Sequence, residues 1–335
     1  MKIKKFILFF TYVAFSIIGA VDSTVRWEYL NEGDGIHVIA TSSAPTKGSL
    51  EKVSVFLTGQ KFKPIVPTDL VAEGQPFSRA NTIEYRTDHF LKTLNSDEKC
   101  IWSMRGGRGS SEIFADPLFL DPEIFKTFRN LPPKLFIGFS DFTAIHLLAA
   151  KLSWPSLHGV VLNFNKEMEG VVNAGTSLDL YFKILRGEVR ELKYDLIPSN
   201  EFAKDALLDS SIIGGNLSLL QRSVGTLLYP NTKGNILFIE DTGEVGSKLH
   251  EVLVHIERAG LFDNPVAVIW GNFQSDDVTG IADAKSLFLQ RMQKRNIPVF
   301  SSDDFGHGIN NWPLPFGTPA KIEPGGKLIV KTNKD

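Results

Sequence analysis

Short apolar runs that stop at turn residues and give way to helix-periodic segments recur along this chain. That alternation constrains its fold more than any other feature. Ile36-His37-Val38-Ile39-Ala40, Cys100 to Met104, Leu135 to Gly138, Ile236 to Ile239 and Val266 to Trp270 read as strands, and Pro298-Val299-Phe300 as a short final one. The intervening segments carry one apolar face at helical spacing: Ile145, Leu148 and Leu152 in one, and Leu249, Val252, Leu253 and Ile256 in another, stopped by Gly260. Ile281 to Arg295 reads as a further helix. Strands alternating with helices imply a largely parallel sheet covered on both faces, an α/β class. Between about Asn163 and Ala206 the pattern weakens into charged, irregular sequence, which suits a connection between two lobes. The expected division is an N-terminal parallel-sheet α/β domain over 30–165, a connecting segment over 166–206 and a smaller C-terminal domain mixing strands and helices over 207–335.

A chain of 335 residues, 43% hydrophobic, is long enough to build two cores. With 36 basic against 38 acidic residues there is no positive field to hold a phosphate backbone, so nucleic acid is not an expected partner. Cys100 is the only cysteine, which rules out an intramolecular disulfide. At the start, Lys2, Lys4 and Lys5 precede the apolar run Phe6 to Ile18, followed by the small residues Gly19 and Ala20. This is the layout of a secretory signal peptide over 1–20, and the apolar run is shorter than the roughly 20 residues a spanning helix needs. A retained N-terminal anchor is the alternative. Cleavage leaves no stable membrane span and places the protein in the periplasm or otherwise outside the cytoplasm.

Open α/β sheets present ligands at the carboxyl ends of their strands, and four polar segments stand there: Gly106-Gly107, Ser140-Asp141, Glu240-Asp241 and His307. Gly138-Phe139-Ser140-Asp141 is a strand turning sharply into a helix. It resembles a nucleophile elbow, which lifts a serine hydroxyl out of the sheet and aims the next N–H at a developing oxyanion. A capping role for Ser140 or Asp141 is the alternative. A serine needs a base with access, and His307, between Gly306 and Gly308, sits on a loop with little steric cover. The acid that would hold such an imidazole is Glu240, closing a hydrophobic strand, with Asp241 and Glu244 as rivals. The loop Arg105-Gly106-Gly107-Arg108-Gly109 is either a plain turn or, through the Gly107 N–H, an oxyanion donor. No spacing of His, Cys, Asp and Glu makes a metal site, and no cofactor motif is complete.

Taken together, Ser42-Ser43-Ala44-Pro45, Arg105-Gly106-Gly107-Arg108-Gly109, Gly138-Phe139-Ser140-Asp141, His158-Gly159, Gly214-Gly215-Asn216-Leu217, Phe238-Ile239-Glu240-Asp241 and Phe305-Gly306-His307-Gly308 resemble the LD-carboxypeptidase family. Those serine peptidases include the microcin-immunity hydrolases. The resemblance implies Ser140 as nucleophile, Glu240 as acid and His307 as base, with Gly107 and Asp141 forming the oxyanion hole. Arg105 and Asn216 are the substrate-binding candidates. It further implies a muropeptide substrate that loses its terminal D-alanine, no metal, and a possible homodimer. Two departures stand out: Arg108 occupies a position where a tyrosine is common, and well-known members work in the cytoplasm, without a signal peptide. The alternatives are a microcin-immunity-like amidase of aminoacyl-nucleotide conjugates and a non-catalytic exported solute-binding protein.

Overall fold

The apolar runs do become strands, and their period of two explains why they read as continuous. In Leu135-Phe136-Ile137, the outer two residues join one buried cluster and Phe136 joins the other, so both faces of the sheet are covered. The computed structural model describes residues 27–164, 178–309 and 311–333. The proposed signal segment 1–20 lies outside the described residues. Among them no helix is long and apolar enough to cross a membrane.

The N-terminal sheet contains β1 (Gly35–Ile39), β2 (Lys63–Ile65), β3 (Cys100–Ser103), β4 (Leu135–Gly138) and β5 (Ser156–His158). They run parallel in the order 2-1-3-4-5. The order reverses between β1 and β3, which opens a crevice at their carboxyl ends. The second sheet is built from β6 (Glu191–Asp195), β7 (Ile197–Pro198), β8 (Leu208–Asn216), β9 (Ile236–Thr242), β10 (Ala267–Gln274) and β11 (Val299–Gly306). It is completed by β13 (Pro319–Glu323) and β14 (Lys327–Lys331), which follow β12 (Leu314–Phe316) in the chain. Its order is 6-14-13-8-9-10-11-7, parallel from β8 to β11 and antiparallel towards both edges. The fold class is therefore α/β with two lobes, as the alternation implied.

Three features depart from the sequence reading. The run at Pro298 is not the last strand: β12, β13 and β14 follow, and β13 and β14 show the alternate burial of half-exposed antiparallel strands. β12 also crosses back and pairs antiparallel with β5, so the N-terminal sheet gains its sixth strand from the C-terminal part of the chain. Finally, the segment expected as a connection holds a helix, Leu178–Leu185, and β6 and β7, which are edge strands of the second sheet. Tyr181, Phe182, Ile184 and Leu185 are buried, a helical face hidden in the sequence among charged neighbours. Residues 165–177 of that segment lie outside the described residues.

Candidate active site

β4 ends at Gly138, and the chain turns through a 3-10 turn, Ser140–Phe142, directly into the helix Thr143–Leu152. Ser140 takes φ 62°, a left-handed conformation that costs a residue with a Cβ on the order of 1–2 kcal/mol. The turn is held in place by Asp141, whose fully buried carboxylate accepts from the Ser42 hydroxyl at 2.7 Å and the Ser110 N–H at 2.7 Å. Asp141 thus ties the loops after β1 and β3 to the one after β4. Gly106 packs so closely on the serine that a Cβ there would stand 3.0 Å from the Ser140 Cβ. Gly107, at φ +103°, passes Ser43 at a distance that no side chain allows: an added Cβ would fall 2.3 Å from the Ser43 hydroxyl oxygen. The Ser43 oxygen in turn accepts from the Arg108 N–H at 3.2 Å.

The second lobe faces this turn with the carboxyl ends of β8, β9 and β11. His307 follows β11 directly, and its Nε2 lies 3.0 Å from the Ser140 Oγ. Its Nδ1 lies 2.5 Å from the Glu240 Oε2, on a carboxylate with no exposure to solvent. The His307 ring rests against Phe139, centroids 4.9 Å apart. Burial alone would lower the His307 pKa, but the charge and hydrogen bond of Glu240, with the charge of Asp241, lift it above the ordinary imidazole value.

Successive side chains on a strand point to opposite faces, so Glu240 and Asp241 cannot serve the same group. Asp241 accepts instead from Asn216 Nδ2 at 2.9 Å, the Ser218 N–H at 2.9 Å and the Ser218 hydroxyl at 2.8 Å. Burial, and then the neighbouring Glu240 charge, raise its pKa against those hydrogen bonds. Asn216 is itself buried, caps the helix Leu217–Arg222 by accepting the Leu219 N–H, and donates its own N–H to the Thr143 hydroxyl oxygen at 2.9 Å. That last contact fastens the helix after the serine to the second lobe. It requires Gly215, where a Cβ would meet the Thr143 hydroxyl oxygen at 2.5 Å. Arg105 donates from its guanidinium to the Ala44 carbonyl at 2.5 Å. The two substrate-binding candidates thus both have hydrogen-bond partners within the protein. His146 and His158 are buried behind the site, where desolvation keeps both imidazoles neutral.

The LD-carboxypeptidase N-terminal domain family matches residues 36–159 and the LD-carboxypeptidase C-terminal domain family matches residues 209–322. The chain belongs to the LD-carboxypeptidase family. It is 35% identical over 233 residues to the Rickettsia conorii protein RC0549, a carboxypeptidase by name, covering 68% of this chain and 69% of that one. It is 25% identical over 335 residues to the microcin C7 self-immunity protein MccF of Escherichia coli, covering 90% and 94% of the two chains. The fold is similar to that of the muramoyltetrapeptide carboxypeptidase from Oxalobacter formigenes, with a TM-score of 0.71 at 22% identity over 90% of this chain and 99% of that one.

In this member of the LD-carboxypeptidase family the serine turn is supported by residues that the sequence reading did not single out as functional. Arg86 is buried and donates to the Thr41 carbonyl at 2.6 Å, the Gly109 carbonyl at 2.9 Å and Glu112 at 2.6 Å. Its place on the helix Ile83–Leu94 carries no local sign of that task. Thr41, Ser42 and Ser110 form a buried hydroxyl cluster that ends on Asp141. The available signal is the doublet Ser42-Ser43 after a strand, which enters the sequence analysis only as part of a motif carrying the family resemblance, with no role of its own.

Proposed function

We propose that this protein is a serine carboxypeptidase that removes the terminal D-alanine from peptidoglycan tetrapeptides. The observation that carries the reading is the hydrogen-bonded series from Ser140 through His307 to Glu240, with the serine held at a strained φ on a strand-to-helix turn. The Ser140 oxygen attacks the scissile carbonyl carbon as its proton passes to His307 Nε2. The resulting oxyanion is stabilised by the N–H groups of Gly107 and Asp141. Collapse breaks the C–N bond, and the same proton leaves with the D-alanine amine. Water then attacks the acyl-serine with His307 again as base, which releases the shortened peptide and regenerates the hydroxyl. Glu240 keeps the imidazole in the reactive tautomer and stabilises its cationic form. We place this work outside the cytoplasm, on the strength of the Lys-rich apolar start of the chain.

The test is incubation of the protein with a disaccharide tetrapeptide and, separately, an aminoacyl-nucleotide amide, with the products identified by mass spectrometry. Release of D-alanine from the tetrapeptide is expected. Ser140→Ala and His307→Ala should each remove at least about ten-thousand-fold of the rate, and the double variant no more, because nucleophile and base act as one unit. Cleavage of the nucleotide amide alone would transfer the reading to an immunity-type amidase. Near-wild-type turnover by folded Ser140→Ala would reject the serine mechanism.

A further inference from the structure

The segments after β1, β2 and β3 border an open cleft of about 440 Å³, lined by Ser43, Phe77, Arg79, Gly107 and Arg108, and Gly107 follows directly on the Gly106 that packs against Ser140. Its two guanidinium groups differ in what holds them. Arg79 is committed: its Nη2 lies 2.5 Å from Glu112 Oε1, its Nε 3.0 Å from the same oxygen, and its guanidinium lies 5.6 Å from the Phe77 ring centroid. Among the described residues no carboxylate pairs with Arg108, although its backbone is pinned by the Ser43 hydroxyl. The cleft therefore holds a fixed backbone carrying an uncommitted, bidentate cation. The same cleft is lined by Phe77, 85% exposed and at φ 55°, followed by Ser78 at φ 55°. Two consecutive left-handed residues are costly, and here they present an aromatic ring to the cleft rather than to the core.

The position of this cation suits one feature of the substrate. In a peptide whose last amide is attacked by Ser140, the free carboxylate lies one residue, roughly 3.5 Å, beyond the scissile carbonyl. Gly106 touches Ser140, and Arg108 stands two residues farther along the same loop. We propose that Arg108 is the specificity-determining residue that pairs with the substrate's free terminal carboxylate, with Phe77 as the apolar wall against the terminal residue. This rests on the reading of Ser140 as the nucleophile of a carboxypeptidase. Arg105, occupied by the Ala44 carbonyl and outside the lining of the cleft, supports the loop instead.

The test separates this assignment from that reading by measuring binding where turnover is silenced. In Ser140→Ala, calorimetry compares a disaccharide tetrapeptide with its C-terminal carboxamide, with and without Arg108→Gln. A carboxylate preference of roughly 10- to 100-fold is expected with Arg108, falling to near unity with Gln and partly restored by Arg108→Lys. An equal preference in the Gln variant, or no preference in its parent, overturns the assignment. Turnover of both peptides by the protein with Ser140 intact is measured alongside. Binding with an Arg108-dependent preference but no hydrolysis would reject the hydrolase reading and leave this site standing. Hydrolysis with a preference indifferent to Arg108 would do the reverse. Failure to bind either peptide would overturn both.

Discussion

Replacing Glu240 by glutamine removes one charge from the site and very little volume, which isolates the electrostatic part of the design. The carboxylate is fully buried and its Oε2 lies 2.5 Å from His307 Nδ1. With the centres of charge about 4 Å apart and an effective dielectric of about 20, the attraction to an imidazolium is about 4 kcal/mol. At about 1.4 kcal/mol per decade, losing it from the transition state slows acylation about a thousand-fold. The pH dependence gives an independent sign. Burial pulls the His307 pKa down, and Glu240 is the main group that lifts it above 6.5. A general base must be neutral, so kcat/KM of the wild type should climb with pH through a value above that of free imidazole. In Glu240→Gln only Asp241 still opposes burial, and the rising limb should move to lower pH. The assay is D-alanine release from a tetrapeptide between about pH 4 and 9, with circular dichroism to show that the variant is folded. A folded variant with less than about tenfold loss, or with its acid limb unmoved, would refute the reasoning.

Three further outcomes follow from other parts of the structure. Gly107→Ala forces a Cβ to within 2.3 Å of the Ser43 hydroxyl oxygen at φ +103°, so kcat should fall by about a hundred-fold through displacement of the oxyanion donor; an unchanged kcat would remove Gly107 from that role. Arg86→Ala breaks the link to Glu112 and leaves the Thr41 and Gly109 carbonyls without their guanidinium donor, and should cost about 3 kcal/mol in urea unfolding, whereas a cost below about 1 kcal/mol would show the loops to be held by other contacts. Expressed with its full N-terminus in a host with a secretion pathway, the mature protein should begin near Val21, and sequencing that finds Met1 on soluble cytoplasmic protein would reject export.

Much of the framework was legible in the sequence because it depends on local rules. Strand β4 could be read to the residue, and the helices Gly246–Arg258 and Val278–Lys294 to within a few residues, because apolar period and turn residues are properties of adjacent positions. The strand-to-helix turn at Ser140 was visible for the same reason. The antiparallel strands of the second sheet, β6, β7, β13 and β14, were not, since each is partly exposed and stabilised by a partner that local pattern cannot name. The tasks of Arg86, Ser42 and Ser110 were equally hidden: a buried guanidinium and a hydroxyl cluster have no signature on their own elements. Composition and motif order, by themselves, determined an α/β chain with a serine turn, a glycine loop and a histidine after a strand. Only the tertiary structure decided which acid meets His307 and which cation stays uncommitted. Glu240 and Asp241 are neighbours in sequence with opposite directions in space, and the strand's pleat makes that choice. The contacts from His307 to Glu240 and to Ser140 span 67 and 167 residues, far beyond the reach of a helical turn or a strand repeat, and exist only because packing sets the two lobes face to face.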